Sequence, residues 1–275
     1  MIRESLREAL AHLAGTPVIW ITGLYLGAFF AADILLQVSG STLVASRAGF
    51  LGLVAAPFFL GGTYGVIRGD GSGLRAYLTA GSRYFFRILL AGAVTVSVAL
   101  FTALLVMLPI LIVGGSLQAA IPSALLGVGV SFAFFTAFVD TAVVFEDRKV
   151  LDSIRRSVEF VTGNLKTVLG FYLANLAIGF AVFFVSVVIW SFTIADRLLP
   201  LVEGNQTVIQ NLTAPDMVSL VGLPGLMAGV TIGFFAITFG ATLLVAFKAC
   251  YFRRVAASTP APVAQGEFDE KGRWY

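Results

Sequence analysis

The charges of this chain sit in short clusters, and between them run uncharged apolar stretches of roughly twenty residues or more, each long enough as a helix to cross about 30 Å of hydrocarbon. Inside a bilayer every backbone N–H and C=O must be bonded within the protein, so only helices or closed barrels can span it. The apolar runs are continuous rather than alternating, which selects helices. Composition agrees: 58% of residues are hydrophobic and 12% charged, where a soluble domain carries about 25% charge.

Six spans follow. The first runs from Pro17 to about Val38, with proline suited to a helix start, and Ser39–Ser41 forms a turn. The second, Thr42 to Ile67, holds Pro57 and the ladder Gly61, Gly65, Gly69. The third covers Tyr84 to Val113 with Pro109 loosening its end, and residues 114–122 form a short uncharged turn. The fourth covers Ser123 to Phe145 and the fifth Leu165 to Ile194. The sixth runs from Val218 to Tyr251, with a break near Gly222–Gly225. Residues 195–216 are the longest loop, and 256–275 read as a flexible cytoplasmic tail with no apolar period. The fold expected is all-α: a single six-span membrane domain over residues 1–255.

The stretch 146–169 punctuates this pattern. At 3.6 residues per turn Val150, Ile154, Val158 and Val161 share one face, while Arg148, Lys149, Asp152, Arg155, Arg156 and Glu159 fall largely elsewhere. Such a helix would lie along the cytoplasmic surface with its apolar side in the acyl boundary. Residues 1–15 repeat the design, with Leu6, Leu10 and Leu13 as the stripe. Ser5-Leu-Arg, Leu10, Leu13 and Gly15 overlay without a gap on Ser153-Ile-Arg, Val158, Val161 and Gly163, and Gly73-Leu-Arg with Leu78 gives a shorter third copy. This predicts three repeats (about 1–67, 68–145 and 146–255), each an amphipathic helix followed by a helical hairpin. The order differs from mitochondrial carriers, whose proline signature is not found after Pro17, Pro109 or Pro122.

With six spans and a cytoplasmic N-terminus, every Arg and Lys except Arg47 and Arg197 falls on the inner side, that is 16 of 18. The positive-inside rule reads this asymmetry as orientation. The N-x-Thr sequences at Asn205 and Asn211 share the loop this places outside and are possible glycosylation acceptors.

Ionisable residues within spans are costly and are candidates by default. Asp33 and Arg47 could pair across the first hairpin, a structural role preferred to a substrate or proton site. Asp140 could reach Arg75, Arg87 or Lys166, again with structure preferred. Asn175 could bond between helices, and Gly23, Gly27, Gly61 and Gly65 could admit close packing. Arg75, Arg83, Arg87, Arg148, Lys149, Arg155 and Arg156 form the expected headgroup-facing set. The lone Cys250 excludes an intrachain disulfide or cysteine-cluster metal site, and His12, the one histidine, excludes a histidine-rich centre and is expected at headgroup level. No catalytic, cofactor or metal motif stands out, and no basic patch interleaved with aromatics suggests nucleic acid.

The segment from Thr141 to Leu173, with Glu146 leading into Ser153–Ser157 and a Gly163-Asn164 break, resembles a loose prokaryotic, largely archaeal and actinobacterial, group of multi-pass membrane proteins of unknown function. That group is similar to the membrane domain associated with glycerophosphoryl diester phosphodiesterases. The phosphodiesterase's own domain and metal ligands are not found in these residues, so its activity is not carried over. The expectation is a non-enzymatic protein of the cytoplasmic membrane that organises lipid or a partner protein, or forms a homo-oligomer, through anionic headgroups at a basic collar. A small transporter with a pathway between the repeats is the alternative.

Overall fold

The computed structural model describes residues 1–112, 117–196 and 214–258, and every regular element among them is helical. Helix α1 (Ile2–Gly15) leads through a 3-10 turn (Pro17–Ile19) into α2 (Trp20–Val38). There follow α3 (Thr42–Arg68), α4 (Leu74–Ile112), α5 (Leu117–Thr136), α6 (Val139–Phe145), α7 (Val150–Gly163), α8 (Leu165–Thr193) and α9 (Ala214–Ser258). Six stretches are long and apolar enough to cross a membrane: Pro17–Val38, Leu43–Arg68, Leu74–Pro109, Ile121–Phe145, Leu165–Thr193 and Val221–Ser258. This is a helical membrane protein. Arg197, Asn205, Asn211 and residues 259–275 lie outside the described residues, as do residues 114–116 of the expected turn.

Several boundaries follow from local chemistry. Pro17 occupies the first position of its turn, where an N–H would have no helical partner. Helix α3 ends at Gly69, whose φ of 110° lets its N–H meet the carbonyls of Gly65 and Val66. Gly222 interrupts α9 with φ 61° and ψ 175°, a conformation open to glycine, and Pro224 follows it. The break expected there exists.

Three expectations change. Helix α4 is continuous from Leu74, so no separate amphipathic piece precedes the third span. Its 39 residues rise about 58 Å at 1.5 Å each, so its first turns, with Arg75, extend past the apolar zone. The helix after the third span resumes at Leu117 and accommodates Pro122, because at this depth helix satisfies backbone groups that a loop would leave bare. The fourth span is broken at Ala137–Phe138, between α5 and α6.

Helix α3 packs most extensively on α4, and α2 on α9; both pairings cross the boundaries expected between repeats. Gly23 and Gly27 make the second possible. A Cβ at either would collide with α9, against the Thr238 and Phe234 carbonyls respectively. Gly65 plays the same part against Ala80 of α4. These glycines permit close packing, as expected.

The buried core is gathered at one end of the bundle. Tyr64, Ile67, Tyr77, Tyr84, Phe138, Phe160, Phe171, Phe247, Tyr251 and Phe252 are all nearly inaccessible. They come from the ends of α3 and α9, the starts of α4 and α8, α7, and the break just before α6. The opposite halves of the spans expose Phe101, Leu104, Leu126, Phe180 and Phe192, side chains suited to lipid contact. We refer to the packed end as the basic end, since α1, α7 and the C-terminal arginines of α9 also lie there.

The faces of α1 and α7 differ from those the apolar stripes imply. Helix α7 turns Ser153, Arg156, Ser157, Phe160 and Val161 inward, and leaves Leu151 and Val158 exposed beside Arg155. Helix α1 buries Ser5, Ala9 and Leu13 and exposes Leu10. Hydroxyls decide the rotation of α7. Ser157 Oγ donates to the Phe135 carbonyl at 2.8 Å and accepts the Phe138 N–H at 3.1 Å. It thereby satisfies two backbone groups freed where the fourth span breaks.

Candidate functional site

The break at Ala137–Phe138 places Asp140 in the first turn of α6, where it meets α3 and α9. Lys248 Nζ lies 2.6 Å from Asp140 Oδ1 and 2.7 Å from Oδ2. Tyr64 Oη donates to Oδ2 at 3.0 Å, and the Thr141 N–H donates to Oδ1 at 2.8 Å. The carboxylate's acceptor positions are thus occupied by one cation, one phenol and one amide. Both charged side chains are mostly shielded (Asp140 13% and Lys248 22% exposed), and Tyr64 is buried. A neutralised pair of this kind is how a bundle tolerates ionisable groups at membrane depth.

This corrects the expected partners of Asp140. Arg87 instead reaches Asp147 Oδ1 at 2.6 Å, with Arg83 at 3.5 Å from Oδ2; Arg75 and Lys166 are exposed. Lys248 was not among the expected site residues. It was detectable by the same test that singles out Asp140, as a lone charge within an apolar run.

Two further expected contacts are replaced. Asp33 accepts from Gln37 Nε2 at 2.6 Å, one turn along its own helix, and Arg47 is exposed. Asn175 Nδ2 donates to the Phe171 carbonyl of its own helix at 2.8 Å. In both cases a partner one turn away on the same helix is already in reach, whereas a pairing across helices needs an aligned neighbour.

Around the central pair the basic end is closed by ionic clamps. Arg156, nearly inaccessible, donates to both oxygens of Glu146 at 2.9 Å, and Arg148 adds a third bond at 3.1 Å. Asp147, which grips α4 through Arg87 and Arg83, adopts φ 52°, a conformation aspartate tolerates better than most residues. Arg68 donates to the Val144 carbonyl at 2.7 Å and to Tyr84 Oη at 2.6 Å. Arg253 donates to the Ile67 carbonyl at 2.7 Å and to Glu8, so each guanidinium serves a helix C-terminal carbonyl. Arg254 joins Glu8 at 3.1 Å and Glu4 at 3.0 Å, fastening α1 to α9.

The expected headgroup set therefore divides. Arg156 is withdrawn from the surface. Arg83, Arg148 and Arg155 are exposed and Arg87 half-exposed, but all four are paired, Arg155 with Glu159 at 2.8 Å. Arg75 and Lys149 are exposed with no carboxylate within 4.0 Å among the described residues, as are Arg3, Arg7 and Lys166.

His12 is half-buried against α9, so it is not fully exposed. Its imidazole, the Glu8 carboxylate and the Cys250 thiol bring ligand-type atoms within 4.8 Å of one another. Two guanidiniums already hold Glu8, and their charge opposes a metal cation there. Burial, then Arg253, lowers the His12 pKa, with Glu8 opposing. An undocked α1 carries an ordinary histidine of pKa about 6.5, so it binds a proton that the docked form resists. Docking is fully supported above that pH and weakens as pH falls through it. Protection factors of the α1 amides, each rate taken relative to the intrinsic exchange rate at the same pH, should therefore fall when pH is taken below about 6.5, and His12→Gln should flatten the response. Equal pH responses in the two proteins would remove His12 as its source.

The model of a domain of unknown function, DUF7847, matches residues 1–258. No curated protein and no solved structure matches the chain.

Proposed function

The chain belongs to the DUF7847 family, whose description carries no activity, and from its geometry we propose an integral protein of a prokaryotic cytoplasmic membrane that organises anionic lipid around its basic end. Its termini would be cytoplasmic and its three hairpins would stand on one basic collar. The observation that carries this reading is the set of exposed cations Arg3, Arg7, Arg75, Lys149 and Lys166, for which the described residues supply no carboxylate. They come from α1, α4, the residue before α7, and α8, and they surround the clamps just described. Each cation near an anionic surface contributes about 1 kcal/mol. The 16 of 18 cations on one side support the orientation. The exposed Leu10, Leu151 and Val158 would sit in the acyl boundary beside them.

This reading needs no catalysis. The transport alternative has less support: Asp33 is turned to Gln37 at the far end of α2, and Asp140 is saturated by its own partners. Among the described residues, the cavity that Asp140 lines does not include Asp33.

Replacing Arg3, Arg7, Arg75, Lys149 and Lys166 together by Gln tests it. In nanodiscs of mixed phosphatidylglycerol and phosphatidylcholine, the wild-type protein should retain phosphatidylglycerol preferentially, with a preference that weakens with salt. The variant should lose at least about tenfold of that preference. An unchanged preference, or one insensitive to salt, would overturn the proposal.

A further inference from the structure

Beside the central ion pair lies a cavity of about 830 Å³, walled by α3, α4, the α5–α6 junction and α9. Small residues keep it open. Gly92 and Ala93 line it from α4, and nothing lies within 4 Å of the place a Cβ at Gly92 would occupy. The walls are almost wholly apolar, and two of the hydroxyls in them are already committed. Thr95 donates to the Ala91 carbonyl at 2.8 Å and Thr136 to the Phe132 carbonyl at 2.6 Å. A space of this kind has little to hold water.

The polar end is different. Asp140 and Lys248 both line the cavity. The carboxylate has no open position, because Lys248, Tyr64 and the Thr141 N–H occupy it. Lysine carries three N–H donors; one bonds Asp140 Oδ2, Oδ1 lies in ionic contact at 2.6 Å, the Tyr64 ring centroid is 5.9 Å from Nζ, and the described residues offer no further acceptor. What the pair offers an occupant is therefore a cationic donor, not an acceptor. Along α4 the lining extends from Ile88 to Ser97, about 14 Å at 1.5 Å per residue. At the other flank Phe50, Leu53 and Val96 are strongly exposed, so the cavity opens sideways onto the lipid-facing surface.

We propose that this cavity is a lateral binding site for one acyl chain of a membrane amphiphile, whose anionic oxygen-bearing head meets Lys248. The volume falls within the usual range of ligand pockets, the length suits an extended chain, and the only charged donor sits at the end nearest the basic headgroup zone. The site does not depend on the surface cations. A free fatty acid and an anionic phospholipid share this chemistry, and the experiment separates them.

The full chain in nanodiscs is irradiated with palmitate carrying a mid-chain diazirine and, separately, with phosphatidylglycerol carrying the same group on one acyl chain. Crosslinked peptides are then mapped by mass spectrometry. Crosslinks from either probe should concentrate on residues 50–60 and 88–97, and the probe that does so identifies the source. Gly92→Trp and Ala93→Trp, which fill the cavity without touching the ion pair, should each lower that yield at least tenfold. Elution volume and thermal midpoint establish that they fold. The five-cation Gln variant should keep the yield, which separates this site from the surface reading. Crosslinks spread evenly over α8 and the other lipid-facing helices, or yields unchanged in both folded tryptophan variants, would overturn the site.

Discussion

Lys248→Met should destabilise the detergent-solubilised protein by about 3–5 kcal/mol, the usual cost of leaving one partner of a buried ion pair without the other. In this variant the Asp140 carboxylate keeps only Tyr64 and the Thr141 N–H, too little to offset its charge in a setting with Phe138, Val139 and Val144 around it. The double variant Asp140→Asn with Lys248→Met should recover most of the loss. The neutral amide can keep its oxygen on the Thr141 N–H and turn its NH2 to donate to Tyr64 Oη, and the methionine fills nearly the volume of the lysine stem. The comparison is a double-mutant cycle read by thermal unfolding. A coupling of at least about 2 kcal/mol is expected for residues in direct contact. If the two losses simply add, the pair is not the electrostatic unit described, and the amphiphile site loses its polar anchor.

The ease with which parts of this fold can be read from sequence follows the range of the forces involved. Span positions come from hydropathy summed over many residues, so all six appear; most ends fall close to those expected, but the third span starts at Leu74 instead of Tyr84 and the sixth runs on to Ser258 instead of ending at Tyr251. Pro17 and Gly222 speak through their own dihedral limits, and both act where expected. Gly23, Gly27 and Gly65 were legible as close-contact positions, though not the partners they admit. Contacts set by tertiary alignment were not legible. Asp140 and Lys248 are 108 residues apart, and nothing local to either names the other. Polar side chains that bond within their own helix, as Gln37 does with Asp33 and Asn175 with Phe171, defeat a search for partners across helices. The stretch from Glu146 to Leu169 stood out as charged and amphipathic, yet its inward face is tied to its surroundings by Ser157 and Arg156, beside Phe160 and Val161. A stripe of apolar residues predicts burial in a uniform medium. It fails where one side of the helix meets broken backbone that needs hydroxyls.

That broken backbone locates the second large effect, at Phe138. No glycine or proline marks the break at Ala137–Phe138, and the conformation is held from outside by Ser157 and from within by the aromatic ring. Phe138 is fully buried, with ring centroids 4.8 Å from Phe160, 5.4 Å from Phe171, 5.9 Å from Tyr251 and 6.0 Å from Phe252. One side chain thus joins α7, α8 and α9 to the fourth span. Phe138→Ala should cost about 3–5 kcal/mol, because the surrounding rings belong to different helices and cannot all close on the space left. Ser157→Ala tests the other support and should cost less, about 1–3 kcal/mol, by orphaning the Phe138 N–H and the Phe135 carbonyl. Phe180→Ala is the control, since that ring faces outward on α8 and exchanges protein contact for little. The distinctive readout is hydrogen exchange. Phe138→Ala should raise exchange in α6 and α7 together while the outer half of α8 stays as it was. Uniform loss of protection along all spans would mean that Phe138 contributes bulk to a general core. Exchange confined to α6 and α7 would mean that it is the pin on which α7 is hung, and with α7 the Glu146–Arg156 clamp and the Lys149 cation beside it.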